Sequence, residues 1–261
     1  DELDAEIRRL GPENVAAFIA EPIVGATLGS VTAAPGYFAR IRDICDRHGV
    51  LFIADEVMCG MGRAGAMFVS AQEGVRPDII TIAKGLGAGY QPIAATMASE
   101  RVAGAIEAGS GLLANGHTYM SHPVACAAAI AVIETIEEEG LLDNVQRMGA
   151  LLSRRLNEAF GQHPHVGDIR GRGLMQSLEL VADRDSKQPF PAKEGLAARI
   201  KQTAQGLGLI CYPSSGTADG VNGDHVLLAP PFTVDAGHVD EIFEKLGAAL
   251  TATLPAARSA A

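Results

Sequence analysis

Two apolar runs of strand length stand out along the chain, Leu51-Phe-Ile-Ala54 and Ile79-Ile-Thr-Ile82, and each leads into a charged residue, Asp55 and Lys84. Runs without polar alternation predict strands buried on both faces, as in a mostly parallel sheet. Around them the period changes. Phe38, Ile41, Ile44 and Cys45 share one face of a helix predicted over Gly36 to His48 and stopped by Gly49. Leu3, Ile7 and Leu10 mark an earlier helix closed by Gly11-Pro12. Val15 to Ala20 predicts a strand, Gly25 to Pro35 a loop of small residues, Ile93 to Ala98 a further strand and Pro123 to Glu138 an Ala-rich helix. Strand and helix alternate as in parallel βα units. Leu142, Val145, Met148, Leu152 and Leu156 then predict a long helix from Leu141 to Phe160. Beyond it come strands at Val166–Arg170 and Leu174–Val181, a helix at Lys193–Leu207, a strand at Val226–Ala229, a helix at Val239–Leu250 and a frayed end from Pro255 to Ala261. The class is α/β. One domain is expected over 1–140 and a smaller α+β domain, entered through a connecting helix, over 141–261.

Open α/β sheets bind ligands outside the carboxyl ends of their strands. Asp55 and Lys84 are therefore expected at one sheet edge, facing one crevice. A lysine and a carboxylate so placed suit pyridoxal phosphate: the amine holds the cofactor as a Schiff base and the acid pairs with the pyridinium nitrogen. The same two residues would also serve as a plain ion pair at a sheet edge, and the pair alone does not choose.

More of the chain bears on the choice. Asp55-Glu-Val-Met58 is followed by Cys59-Gly-Met-Gly-Arg-Ala-Gly65; Lys84 is followed by Gly85-Leu-Gly-Ala-Gly-Tyr-Gln-Pro92. Gly116-His-Thr-Tyr-Met-Ser-His-Pro123 comes later, and Ala20-Glu-Pro-Ile-Val-Gly25 lies upstream. Arg170-Gly-Arg-Gly-Leu-Met175 and Asp224-His-Val-Leu-Leu-Ala-Pro-Pro-Phe232 complete the set. In this order and spacing the set resembles the class III, ω-aminotransferase-like pyridoxal-phosphate enzymes of fold type I, from about Val15 to Thr251.

The resemblance implies a mostly parallel sheet in a large domain plus a small C-terminal domain. It implies transamination from an amine or amino acid donor to a keto acid or aldehyde acceptor, with pyridoxal 5'-phosphate as cofactor. Lys84 and Asp55 would be catalytic; Val57 would pack on the cofactor ring; Thr118 would donate to the cofactor phosphate of the other subunit of a homodimer with shared sites. Glu21 and Met58 would lie near the substrate, Met58 where several members have a glutamine and the ω-branch an apolar residue. The family also places a carboxylate-binding arginine shortly before Ala229-Pro-Pro-Phe232, and Leu207 to Ala229 contains none. Arg170 would contact a carboxylate or organise its domain. Aminomutase, racemase and decarboxylase chemistry use the same lysine and acid. The family's upstream Gly-Ser-rich phosphate-binding helix start and ring-stacking aromatic are not found, so the chain is expected to correspond to a C-terminal portion, which leaves an inactive fragment as a further reading.

Other motifs carry less. Gly60 to Gly65 spells G-x-G-x-x-G, but five residues separate it from the strand, whereas a dinucleotide fingerprint opens a helix directly. His117 and His122 are not at a metal-ligand spacing, and no metal is expected. Of the 261 residues 48% are hydrophobic, enough for a sizeable core. A net charge of −10 opposes nonspecific binding to nucleic acid or an anionic membrane. No apolar stretch is long enough to span a bilayer, and Asp1-Glu-Leu-Asp4 shows no signal-peptide pattern. Cys45, Cys59, Cys126 and Cys211, far apart and without C-x-x-C, read as reduced thiols of a cytoplasmic protein.

Overall fold

The computed structural model describes residues 1–255; the last six positions of the expected frayed end, 256–261, lie outside them. In chain order the elements begin with helix α1 (Glu2–Leu10), strands β1 (Ala17–Ala20), β2 (Ile23–Val24) and β3 (Val31–Thr32), helix α2 (Tyr37–His48) and strand β4 (Leu51–Asp55). Next come α3 (Val69–Gln72), β5 (Ile79–Ile82), β6 (Ala95–Ala98), α4 (Glu100–Ala108), α5 (Pro123–Glu138) and α6 (Leu141–Phe160). Strands β7 (Val166–Arg172), β8 (Met175–Asp183) and β9 (Gln188–Pro189), helix α7 (Leu196–Gly206), strands β10 (Tyr212–Ser215) and β11 (Asp224–Leu228) and helix α8 (Ala236–Thr253) complete the fold. Two compact units result. The first holds Asp1–Pro22, Ala33–Gly62 and Ala66–Gly140; the second holds Ile23–Thr32, Arg63–Gly65 and the chain from Leu141 onward.

The first unit is built on a four-stranded sheet in the order β1-β4-β5-β6. β1, β4 and β5 are parallel, and β6 runs antiparallel to β5 at the edge. Helix α2 buries the four residues its spacing selects, Phe38, Ile41, Ile44 and Cys45. It ends where Gly49, at φ 70°, turns the chain left-handed, a conformation glycine adopts without steric cost. Ile7, Val50, Phe52 and Val75 close the same core, with Phe38 stacked on Phe52 at 5.9 Å. Each fully buried Phe or Ile contributes about 1.5–3 kcal/mol.

One carboxylate ties this unit together. Asp78 precedes β5 and accepts the Phe52 N–H and Arg42 Nη1, both at 2.8 Å, and Arg101 Nη1 at 3.2 Å. Burial pushes its carboxyl up, but the Phe52 amide and the two guanidinium groups outweigh that and hold it below its ordinary value.

The second unit carries an antiparallel sheet in the order β10-β11-β8-β7, with β9 paired to β8. Its core joins Val145, Leu152 and Leu156 of α6, Leu178 and Leu180 of β8, Ile200 of α7 and Leu246 of α8.

Some elements differ from the sequence expectation. The first strand starts at Ala17, because Pro12–Asn14 form a 3-10 turn that Val15 closes by donating to the Pro12 carbonyl. The expected small-residue loop from Gly25 contains β3, which pairs antiparallel with β2. Helix α7 begins at Leu196 rather than Lys193, since Ala192–Glu194 make a 3-10 turn and Gly195 sits at φ 57°. The elements β2, α3, α4, β9 and β10 appear where none was expected.

Candidate active site

Strands β4 and β5 are in register at Ile53↔Ile79, Ala54↔Ile80 and Asp55↔Thr81, so both open at the same carboxyl edge. Asp55 ends β4, and Lys84 follows β5 by two residues. Glu21 follows β1, one position past the pair Ala20↔Ala54, and is half-buried at that same edge. The ladder continues beyond the strands: the Glu56 amide donates to the Thr81 carbonyl at 2.9 Å.

The loop after β4 is fixed from within. Asp55 Oδ1 accepts the Val57 N–H at 3.1 Å, and the Cys59 thiol reaches the Asp55 carbonyl at 3.9 Å. Glu56 is fully buried, and its carboxylate accepts the Val69 N–H at 2.6 Å and the Ser70 N–H at 2.8 Å. The Ser70 hydroxyl adds a third bond at 2.6 Å. Glu56 thus satisfies the free amides opening α3, while its neighbour Asp55 stays half-buried at the sheet edge. A Cβ on Gly60 would lie 2.7 Å from the Glu56 carbonyl, so only glycine lets the backbone fold this closely over Glu56. Val57 and Met58 are half-buried in the turn between them.

Lys84 is exposed, opens a 3-10 turn and sits at φ 42°. A non-glycine residue in that region is strained, and such residues cluster at functional sites. Met61 (φ 53°) and Ala88 (φ 45°) share the conformation. Gly85 packs on Met61: an added Cβ would lie 3.0 Å from the Met61 Cβ. Among the described residues neither Asp55 nor Lys84 takes part in an ion pair, so the plain sheet-edge pair weighed from the sequence does not form here.

Thr118 lies on the exposed segment 107–124. His122, which beside His117 raises the thought of a metal, instead caps α5 by accepting the Ala125 N–H on Nδ1 at 3.5 Å. In the second unit Arg170 organises its own surroundings: it donates to the Leu28 and Gly29 carbonyls, to Asp168 and to Glu179. Arg63, from the glycine-rich turn, donates to the Leu174 and Pro230 carbonyls at 3.1 and 2.5 Å and stacks on Phe232 at 4.7 Å. Burial pushes its guanidinium down to about 10. The turn's arginine therefore serves packing, and the stretch opens no helix before Val69. Sequence reasoning missed the roles of Glu56 and His122, which accept mainly from backbone amides that no side-chain pattern announces.

The family model for aminotransferase class-III matches residues 2–250. An aminotransferase of Gibberella zeae is 46% identical over 97% of this chain and 50% of its own length. A solved amine transaminase from an uncultivated Pseudomonas species, in its pyridoxal-phosphate-bound form, superposes with a TM-score of 0.88 at 39% identity, over 97% of this chain and 55% of that one. A thermostable (S)-enantioselective ω-transaminase from Thermomicrobium roseum gives a TM-score of 0.89 at 35% identity, again over 97% and 55%. The chain belongs to the class III aminotransferases, and its fold is fold type I of the pyridoxal-phosphate-dependent enzymes. It spans about half the length of the relatives it matches.

Proposed function

We propose that the protein to which this chain belongs is a pyridoxal-phosphate-dependent transaminase that moves an amino group from an amine or amino acid to a keto acid or aldehyde. The observation carrying this reading is the placement of Asp55 and Lys84 at the carboxyl ends of adjacent parallel strands in a class III aminotransferase chain. The donor set fits the cofactor: an exposed primary amine, a carboxylate engaged by no cation, and the apolar Val57 between them in sequence. Pyridoxal phosphate, when bound, supplies an electron sink for the bond-breaking step at the substrate carbon.

The residues of the chain supply the rest. With the cofactor in place, Lys84 would hold its aldehyde through Nζ and would be the amine that carries a proton at the substrate carbon. Asp55 keeps the ring nitrogen protonated by its negative charge. Val57 packs its methyls on the ring. Glu21, at the same edge, and Met58 border the substrate. Thr118 offers a hydroxyl to the cofactor phosphate of a second subunit, which makes the active species a homodimer with shared sites. The four cysteines, none of them in a disulfide and two of them, Cys45 and Cys59, buried, suit a reducing cytoplasmic setting.

The test is the full-length protein with pyridoxal phosphate, a primary amine and a keto acid. A visible absorption band distinct from free cofactor, together with exchange of the amino group between the two substrates, is the expected result. A band without exchange would assign the aminomutase, racemase or decarboxylase chemistry that the same two residues serve.

A further inference from the structure

Thr81 holds an unusual position beside the candidate site. It is the in-register partner of Asp55, and paired residues of parallel strands project from the same face of the sheet. Its hydroxyl is shielded from solvent and has no hydrogen-bond partner among the described residues. Its carbonyl is already taken by the Glu56 amide, so the backbone there is fixed and only a change of side-chain rotamer redirects the hydroxyl. Buried hydroxyls in native proteins are almost always satisfied, and an orphan calls for a partner. Two polar side chains share its register, the exposed Thr96 of β6 and Asp55 of β4; of these Asp55 carries the charge, and its carboxylate takes one amide, Val57, on Oδ1. Adjacent strands lie about 4.8 Å apart, so a short hydroxyl and a short carboxylate from paired positions come within reach once the hydroxyl rotates toward the carboxylate.

We propose that Thr81 is the positioning residue of Asp55: in the cofactor-loaded protein its hydroxyl rotates to donate to the carboxylate and fixes the direction in which the carboxylate meets the ring of the bound cofactor. The inference rests on the reading of Asp55 as the pyridinium partner. It makes the orphan hydroxyl a feature kept for function at a cost to the cofactor-free fold. A valine has the same shape without the unsatisfied oxygen, and replacing an unpartnered buried hydroxyl by an apolar isostere is close to neutral or stabilising.

Thr81→Val in the full-length protein separates the possibilities. The cofactor-free variant is expected to unfold in urea at the parent's midpoint or higher. With pyridoxal phosphate its dissociation constant should rise about tenfold, the size of one lost hydrogen bond, and the visible absorption maximum of the bound cofactor should shift. Thr81→Ser restores the hydroxyl and should recover both the affinity and the spectrum. A valine variant that binds with the parent's affinity and spectrum overturns the proposal. So does one whose cofactor-free form is destabilised, since the hydroxyl then supports the fold. If the parent itself shows no visible band, or borohydride trapping labels a lysine other than Lys84, the reading of the site fails and the role of Thr81 falls with it.

Discussion

Replacing Asp55 by asparagine deletes a charge while keeping size and a hydrogen-bonding group, so Asp55→Asn isolates what the carboxylate contributes electrostatically. At ~4 Å and an effective dielectric near 20 a carboxylate and a pyridinium attract by about 4 kcal/mol. Only the part realised more strongly at the transition state accelerates the reaction. Proton abstraction should slow by about two to three powers of ten, measured as single-turnover loss of the cofactor's visible band with a good amine donor. A rate near the parent's would remove Asp55 from the role. Lys84 is tested separately: borohydride reduction of the cofactor-loaded full-length protein followed by peptide mapping should label Lys84. The other lysines, Lys187, Lys193, Lys201 and Lys245, lie in the second unit, on loops and helices. The common sheet edge of Asp55 and Lys84 was legible in the sequence because each follows an apolar run of strand length. Glu56 and Thr81 were not. Two adjacent acids give no sign of which one turns inward, and a threonine in a β-run reads as an ordinary strand former.

At the scale of elements, Asp78 joins β4, α2 and α4 through Phe52, Arg42 and Arg101. Its carboxyl is 8% exposed, so the partners gain little competition from water. Asp78→Asn leaves Arg42 without its buried counter-charge and should cost about 2–4 kcal/mol at neutral pH, read from urea unfolding. The pH dependence has a definite sign. Folding holds Asp78 below its ordinary value of 3.8, so the unfolded chain binds the proton more tightly. The stabilisation is complete above that value and is lost as pH falls through the folded one. The difference between parent and variant should therefore shrink on acidification below about pH 4. A difference that stays constant down to pH 2 would show that the charge of Asp78 is irrelevant. Element length governs how much of this scaffold was readable. The bounds of α5 and α6 coincide with the Ala-rich stretch and the periodic stretch that predicted them, since helices of 16 and 20 residues are long enough for either signal to show. β2 and β3, two residues each, are defined only by pairing with one another. β10, Tyr212–Ser215, carries a proline and no alternation, and exists through its ladder to β11.

For the whole molecule, the segment around Thr118 sets the largest expectation. Leu112, Leu113 and Tyr119 are 66%, 65% and 76% exposed, and Met120 is 48% exposed. Large apolar side chains gathered along one segment mark an interaction surface rather than ordinary solvent exposure. Among the described residues no group bonds the Thr118 hydroxyl, which is free to serve a ligand. Under the proposed function the segment would be the piece that one subunit lends to the other, and a symmetric pair of copies would lend it twice. Two measurements then have to agree. Thr118→Ala should weaken cofactor binding in the full-length protein by roughly 1–3 kcal/mol, the loss expected for a hydrogen bond to a charged group. The parent's cofactor affinity should also fall on dilution, because a site shared between subunits exists only in the dimer. Sedimentation at the same concentrations locates the dissociation, and the loss of cofactor should follow it. Affinity that is unchanged in Thr118→Ala removes the residue from the phosphate site. Affinity that is independent of dilution through the dissociation range shows that each subunit completes its own site, and the exposed apolar segment then has to be explained by an interface remote from the cofactor.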